Sequence, residues 1–507
     1  MRAYYWFMSP KQLLRAFAFA SVLSIFAVSL GNISSASAAT CEVTRPLTRA
    51  SVATDALDLG GTLTRYSFRA GQGNSSPYES RFTVSKSNLN YTTLTPTTAP
   101  YLRDRTQLSL AQGVSALVHV NGDFFDFSSR MPYSAIARGS QLTYAPQTKS
   151  KILGIRKGSS TAKTGIIGNS YVKYGSKKLS ISGLNLPVLI GSRVVAYSSA
   201  YANATLPQAT ASILVVSGKV KTVYPNGTTI RPKSGYVFSA VGSQAAILRK
   251  IGVGTAFSYK APTGTIVTLS RDYATSAGSI TNSAGKVLTS ISAVNLWVSN
   301  YSSGAVVFDQ NYDDVPPRGS ATVVVGSNGI VTKVSPTGSS VSIPNGGTVI
   351  QFYGSAQSKV SGFNVGSAVA IKRGFTTTSG SSYDAIFGIG ATLISKGEVV
   401  APCTGNSDTV RPRTAIGWDD NGNVYLATTT MGRDWIDGGQ GGYRVGGSTV
   451  HQMADWLRDV GATNAVSLDG GGSTTMYAKI SGNYRRVDLP DGVWVRSIPI
   501  GVALTSR

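Results

Sequence analysis

The sequence predicts a β-rich α+β fold with a duplicated all-β module set inside it. Three observations carry that expectation. Charged residues make up only 14% of the 507 positions, while glycine numbers 56; an ordinary globular domain carries roughly 25% charge. Two stretches, 194–260 and 306–372, repeat one another at an offset of about 112 residues. One helical pattern near 450–460 runs into an apolar strand and a triple-glycine turn.

The composition excludes several classes. A coiled coil or large helical bundle needs Glu, Lys, Leu and Ala in periodic stretches. Here only Glu42, Glu79 and Glu398 are glutamates. A disordered chain is excluded by 42% apolar residues, which are enough to build a core. The length admits about two to four domains. The 47 Lys+Arg against 23 Asp+Glu give +24, which points to an anionic partner. Nucleic acid is the weaker candidate, because the basic residues are dispersed without a recognised motif.

Residues 1–39 read as a secretory signal. Arg2, Lys11 and Arg15 form the basic start, Ala16 to Leu30 the apolar run, and Ala36-Ser37-Ala38 the small-residue cleavage site. Fifteen apolar residues are short for a span of about 20, so an uncleaved anchor is the lesser reading. Cleavage leaves a mature charge of +21, three basic residues fewer than +24. No later segment reads as a membrane span. The expected location is secreted, extracellular or at the cell wall. An even cysteine count outside the cytosol allows one disulfide, Cys41 to Cys403; two free structural thiols are the alternative.

Residues 40–190 read as short strands and loops, with Val114 to Val120 as a buried strand ending at the turn Asn121-Gly122-Asp123. The repeat occupies 191–375. Within it Val194-Val195 matches Val306-Val307, and Gly252-Val253-Gly254 matches Asn364-Val365-Gly366. Each copy has strand–turn–strand composition and few acids, which suits scaffolding or binding. In 376–507, Thr414–Trp418 and Val424–Thr429 read as a hairpin around Asp419-Asp420-Asn421-Gly422. Thr449 and Gln452 have capping-box spacing for the helix, and Gly461 is its stop.

Candidate chemistry gathers at strand ends. In Asp469-Gly470-Gly471-Gly472-Ser473 the glycines let backbone N–H groups approach an anion, and Asp469 points into whatever the loop lines; a tight turn capped by its own Asp is the alternative. Asn121 and Asp123 share a face if their strand continues. Arg413 offers a planar fork for phosphate or carboxylate, against the plain reading of a surface arginine. His119 reads as a core residue and His451 as an exposed one. No G-x-S-x-G and no P-loop is present.

Taken in order, VNGDFF (120–125), RPRTAIGW (411–418), GYRVGGSTVHQMADWLRDVGATNAV (442–466), SLDGGGSTTMY (467–477) and VRSIPIGVAL (495–504) resemble the phosphodiester glycosidase domain family. That family includes relatives of phosphodiester N-acetylglucosaminidase, the "uncovering enzyme", and bacterial members labelled exopolysaccharide-related. The resemblance implies a hydrolase that cleaves a sugar-1-phosphate diester, releasing sugar and a phosphomonoester. It implies Asp469, Asp123 and Arg413 as catalytic, and Asn121, Gly122, Thr414, Gly470, Gly471, Gly472 and Ser473 as substrate- or phosphate-binding. The partner would be a phosphate-bearing glycan or another anionic cell-surface polymer. No cofactor is required; a Ca²⁺ or Mg²⁺ between the aspartates is compatible with hard oxygen ligands. Relatives carry Glu where this chain has Gln452, so any acidic role there is missing. The repeat, the charge and Gln452 together support the alternative of a non-catalytic wall-binding protein.

Overall fold

The computed structural model describes residues 47–507 apart from 71–78, 99–105, 127–131, 140, 146–148, 162–164, 186–188, 190–193, 200–204, 260–262, 297–302, 313–314, 404–406, 408, 432–446 and 489–495. The signal-like segment 1–39 and Cys41 lie outside the described residues. Cys403 is disulfide-bonded. Among the described residues no helix is long and apolar enough to cross a membrane.

The chain is β-rich α+β, and its strands pair almost wholly antiparallel. One sheet orders Leu47–Ala56, Thr62–Ala70, Glu79–Asn88, Asn423–Met431, Arg413–Trp418, Asn464–Ser467, Thr392–Ser395 and Glu398–Val399. A second orders Asn483–Arg486, Met476–Ile480, Val118–Asn121, Ile500–Ser506 and Thr92–Thr98. A third contains Ser150–Thr161 beside Ala385–Gly388. All three contribute to one core, in which Leu63, Val118, Leu153, Phe387, Ile416, Val466 and Val502 are almost wholly buried. Alternation along Val118–Asn121 sends Val118 and Val120 into that core, leaving His119 and Asn121 to the opposite face.

Two local expectations shift. The apolar run from Val114 is not strand throughout. Gln107–Gly113 is a helix capped by Thr106, Ser115 takes φ 51°, and the strand begins at Val118. The hairpin forms as expected, with Arg413–Trp418 against Asn423–Met431. Asp419 closes its turn by accepting from the amides of Asn421 and Asn423, both at 2.9 Å.

The two repeat copies make sheets with the same strand order. Lys219–Tyr224, Ala211–Val216, Tyr236–Ala240 and Val194–Ser198 correspond to Val331–Ser335, Ala321–Val325, Thr348–Tyr353 and Gly304–Phe308. Each last strand then pairs in parallel with a preceding strand, Lys177–Leu184 in one copy and Ala293–Val294 in the other. Asn185 and Asn295, both left-handed, lock that parallel step: each accepts an amide at 2.8 Å, from Ser198 and Asp309. The structural unit therefore starts earlier than the sequence match. Each copy also holds a helical turn, Gly242–Arg249 and Gly354–Gly362, that the strand-only reading lacked.

The copies differ in how they are held. The first encloses a core of its own, with Ile213, Phe238, Leu248 and Phe257. The second buries Val306, Phe308 and Tyr353 against Phe125, Ile136, Ile498 and Ile500. It is thus packed into the body that carries VNGDFF and the last strand.

Candidate active site

The site forms where strand ends from different sheets meet. Val118–Asn121 ends at Asn121, Asn464–Ser467 leads into Asp469, and Arg413–Trp418 begins between them. Asn121 is the tie. Its Nδ2 donates to the Asp469 carbonyl at 2.7 Å, and its Oδ1 accepts from the Thr414 hydroxyl at 2.6 Å and the Thr475 amide at 3.2 Å. The Asp469 amide donates to Gly122 O at 3.0 Å. Asn121 is 1% exposed, so these bonds occur away from water and satisfy its amide.

Most of the residues expected to hold phosphate are therefore occupied. Asn121, Gly122 and Thr414 bond one another's strands. The Gly470 amide donates to Asp469 Oδ1 at 2.8 Å, the Gly471 amide to Pro412 O at 2.8 Å, and the Ser473 amide to Gly470 O at 3.3 Å. The triple-glycine segment is a turn capped by its own aspartate, and those three N–H groups are engaged within the protein. What the glycines supply is room. A Cβ on Gly472 would lie 2.9 Å from Arg496 Cζ, so the guanidinium lies directly over the turn.

Arg413 lies beside the glycine turn. A Cβ on Gly470 would be 3.7 Å from its Cδ. Its Nη2 donates to Thr409 O at 2.7 Å and its Nε to Ser448 O at 3.3 Å. Burial, with Arg411 nearby, lowers it to about 10. The cation beside Asp469 is Arg496, which draws that carboxyl down. Sequence reasoning had Arg496 inside a quoted motif and passed over it.

The two aspartates are brought together, in unequal settings. Asp123 is 3% exposed, and burial raises it to about 7. Ser134, through hydroxyl and amide, and the Phe124 amide lower it, while neighbouring Asp469 raises it. Its Oδ2 is buried without a hydrogen-bond partner. Gly388 makes the burial possible, because a Cβ there would lie 2.1 Å from Asp123 Oδ2. Ser134 carries no sequence signal that would have singled it out. Asp469 is partly exposed. Burial raises it too, and the Ser473 hydroxyl, the Gly470 amide and Arg496 act against that.

Gln452 has a structural task. Its Oε1 accepts from the Thr449 amide and its own amide donates to Thr449 Oγ1, both at 3.0 Å, completing a capping box for Val450–Asp459. His119 is a core residue: its Nε2 is 2.8 Å from Thr97 Oγ1, and burial lowers it to about 3. His451 is only partly exposed, 3.7 Å from Asp455. Among the described residues no three His, Cys, Asp or Glu side chains gather into a metal-binding group.

This geometry leaves Asp469, Ser473 and Arg496 grouped at a glycine turn, with a protonatable Asp123 behind them. The family model for phosphodiester glycosidase matches residues 321–505. Over those residues the chain is similar to that family's domain. The match starts at Ala321, inside the second repeat copy, which agrees with that copy sharing the domain's core. Among curated proteins none matches the sequence. Solved structures with similarity include a hypothetical protein from Synechocystis, at 16% identity and TM-score 0.39 over 90% of this chain and 64% of that one. This chain thus spans under two thirds of that relative. A Burkholderia pseudomallei protein named as exported aligns at 14% identity and TM-score 0.48, over 91% and 97%. The catalytic domain of zebrafish N-acetylglucosamine-1-phosphodiester alpha-N-acetylglucosaminidase, auto-inhibited by its pro-peptide, aligns at 12% identity and TM-score 0.31, over 90% and 89%.

Proposed function

We propose that this protein is a secreted hydrolase that cleaves glycosyl phosphodiesters in a cell-surface or extracellular glycan. The observation that carries the reading is the grouping of Asp469 and Arg496 over the glycine turn of a phosphodiester glycosidase domain. Asp469 is the carboxylate at the sugar. It stabilises positive charge growing on the anomeric carbon and takes a proton from the attacking water. The bond from that carbon to the phosphate oxygen breaks, the water oxygen bonds to the carbon, and a phosphomonoester leaves as an anion. Arg496 receives the charge of the departing phosphate through its planar fork.

Asp123 has a different part from the one expected. At 3% exposure it sits behind the reacting groups. Held neutral by burial at the acid side of neutrality, it leaves Asp469 as the single negative charge facing an anionic substrate. A phosphate leaving group needs little help from a general acid, so a buried Asp123 is consistent with the chemistry. The export signal, the +24 charge and the anionic substrate class support one another.

The test is phosphorus NMR of the mature protein with a panel of glycosyl-1-phosphodiesters, with and without divalent cation. Conversion of a diester signal to a monoester signal supports the reading. Absence of conversion across the panel, alongside binding of the polymer, would favour a wall-binding protein instead.

A further inference from the structure

The sheet strands Leu47–Ala56, Thr62–Ala70 and Glu79–Asn88 have two unlike faces. Tyr66, Phe68 and Phe82 pack toward the helix Val450–Asp459, with Phe68 stacked on Trp456 at 4.4 Å. The other face, with Arg485–Val487, encloses a cavity of about 460 Å³. Arg65, Arg81, Arg485 and Arg486 line it, with Asp55 as the one lining carboxylate among the described residues.

The cavity is built rather than incidental. Arg65 is oriented by Asp55 at 2.5 Å. Arg486 is 3.1 Å from Asp488, which is wholly buried and accepts from the Met476 amide at 2.9 Å. The Thr430 hydroxyl donates to Asp488 O at 2.6 Å, pinning this wall to the sheet. A guanidinium has five N–H donors in a planar fork, and Asp55 engages one nitrogen of Arg65. Such forks match the oxygens of a phosphate group. The volume falls within the range of about 300–1,000 Å³ for small-ligand sites.

We propose that this cavity is a second anion-binding site, taking a phosphate ester borne by a glycan. The choice of phosphate glycan as ligand rests on the proposed function; the presence of an oxyanion site does not.

The test uses the mature full-length protein and isothermal titration calorimetry at low salt. Two probes are compared, inorganic phosphate and a short oligomer of glycosyl phosphate units. Arg65→Ala/Arg485→Ala should weaken oligomer binding at least tenfold, and Arg65→Lys/Arg485→Lys should restore it only partly. Arg485→Ala alone, at an exposed position, should weaken binding without disturbing the fold. Oligomer affinity equal to wild type in both alanine variants would overturn the proposal. So would equal affinity for inorganic phosphate and oligomer, which would make this a free-phosphate site. The titrations are run in the Asp469→Asn background, so that turnover does not consume the oligomer and loss of binding is read apart from hydrolysis.

Discussion

Asn121 Nδ2 lies 2.7 Å from the backbone carbonyl of Asp469. That bond joins the ends of two strands from different sheets, and it sets where the Asp469 carboxylate points. With Thr414 and Thr475 also bonded to Asn121, the residue is a fastening for the site. Asn121→Ala strands a buried carbonyl, hydroxyl and amide. It should cost about 2–4 kcal/mol in urea unfolding and lower kcat more than it raises KM.

Burial of Asp123 gives the fold a pH signature. Its folded value of about 7 lies above the ordinary 3.8, so the folded protein holds the proton through that interval while the unfolded chain releases it. Stability from this group is therefore present below about pH 4 and lost as pH rises to about 7. Asp123→Asn removes the dependence. Relative to wild type, the variant should gain about 1–4 kcal/mol between pH 4 and pH 8, read from thermal melts across that range.

The same ionisation bears on substrate. Above about pH 7 a second negative charge stands behind Asp469 and repels an anionic diester. KM should rise across that pH in wild type and stay flat in Asp123→Asn, while kcat changes less. A KM profile identical in the two proteins would remove Asp123 from the account.

Gly388 is predicted to be irreplaceable. Adding a methyl group places it 2.1 Å from Asp123 Oδ2 and 2.4 Å from Ser134 Cβ, so the Asp123 carboxyl must shift. Gly388→Ala should destabilise by about 1–3 kcal/mol and shift the alkaline KM limb as Asp123 is displaced.

Gln452→Glu tests whether an acid is missing from the helix start. A glutamate can accept from the Thr449 amide as Gln452 does, so the cap survives. Turnover should stay within about twofold, while Thr449→Ala should cost about 1 kcal/mol of stability. A large gain in turnover from Gln452→Glu would restore the missing-acid reading.

Much of the fold was legible because its signals are local. The hairpin at Asp419–Gly422, the capping box at Thr449 and Gln452, and the stop at Gly461 each depend on neighbours a few residues apart. The repeat was legible from matched turns, but its parallel first strand was not. That step depends on Asn185 and Asn295 in left-handed geometry, which side-chain type alone does not announce. At the site, Asp123 and Asp469 stood out as strand-end acids. The hydrogen bonds that tie Asn121 to Thr414, Asp469 and Thr475 did not show in the sequence. Their partners are distant in sequence, and strand alternation decides which side chain faces the cleft. Arg496 and Ser134 join the site only through tertiary packing against Gly472 and Asp123.

The central claim is that Asp469, assisted by Arg496, hydrolyses a glycosyl phosphodiester. Phosphorus NMR of wild type, Asp469→Asn and Arg496→Ala, on one diester that wild type converts, tests it most directly. The account predicts a monoester signal with wild type and rates at least about 100-fold lower in both variants. Equal rates in wild type and Asp469→Asn would contradict it.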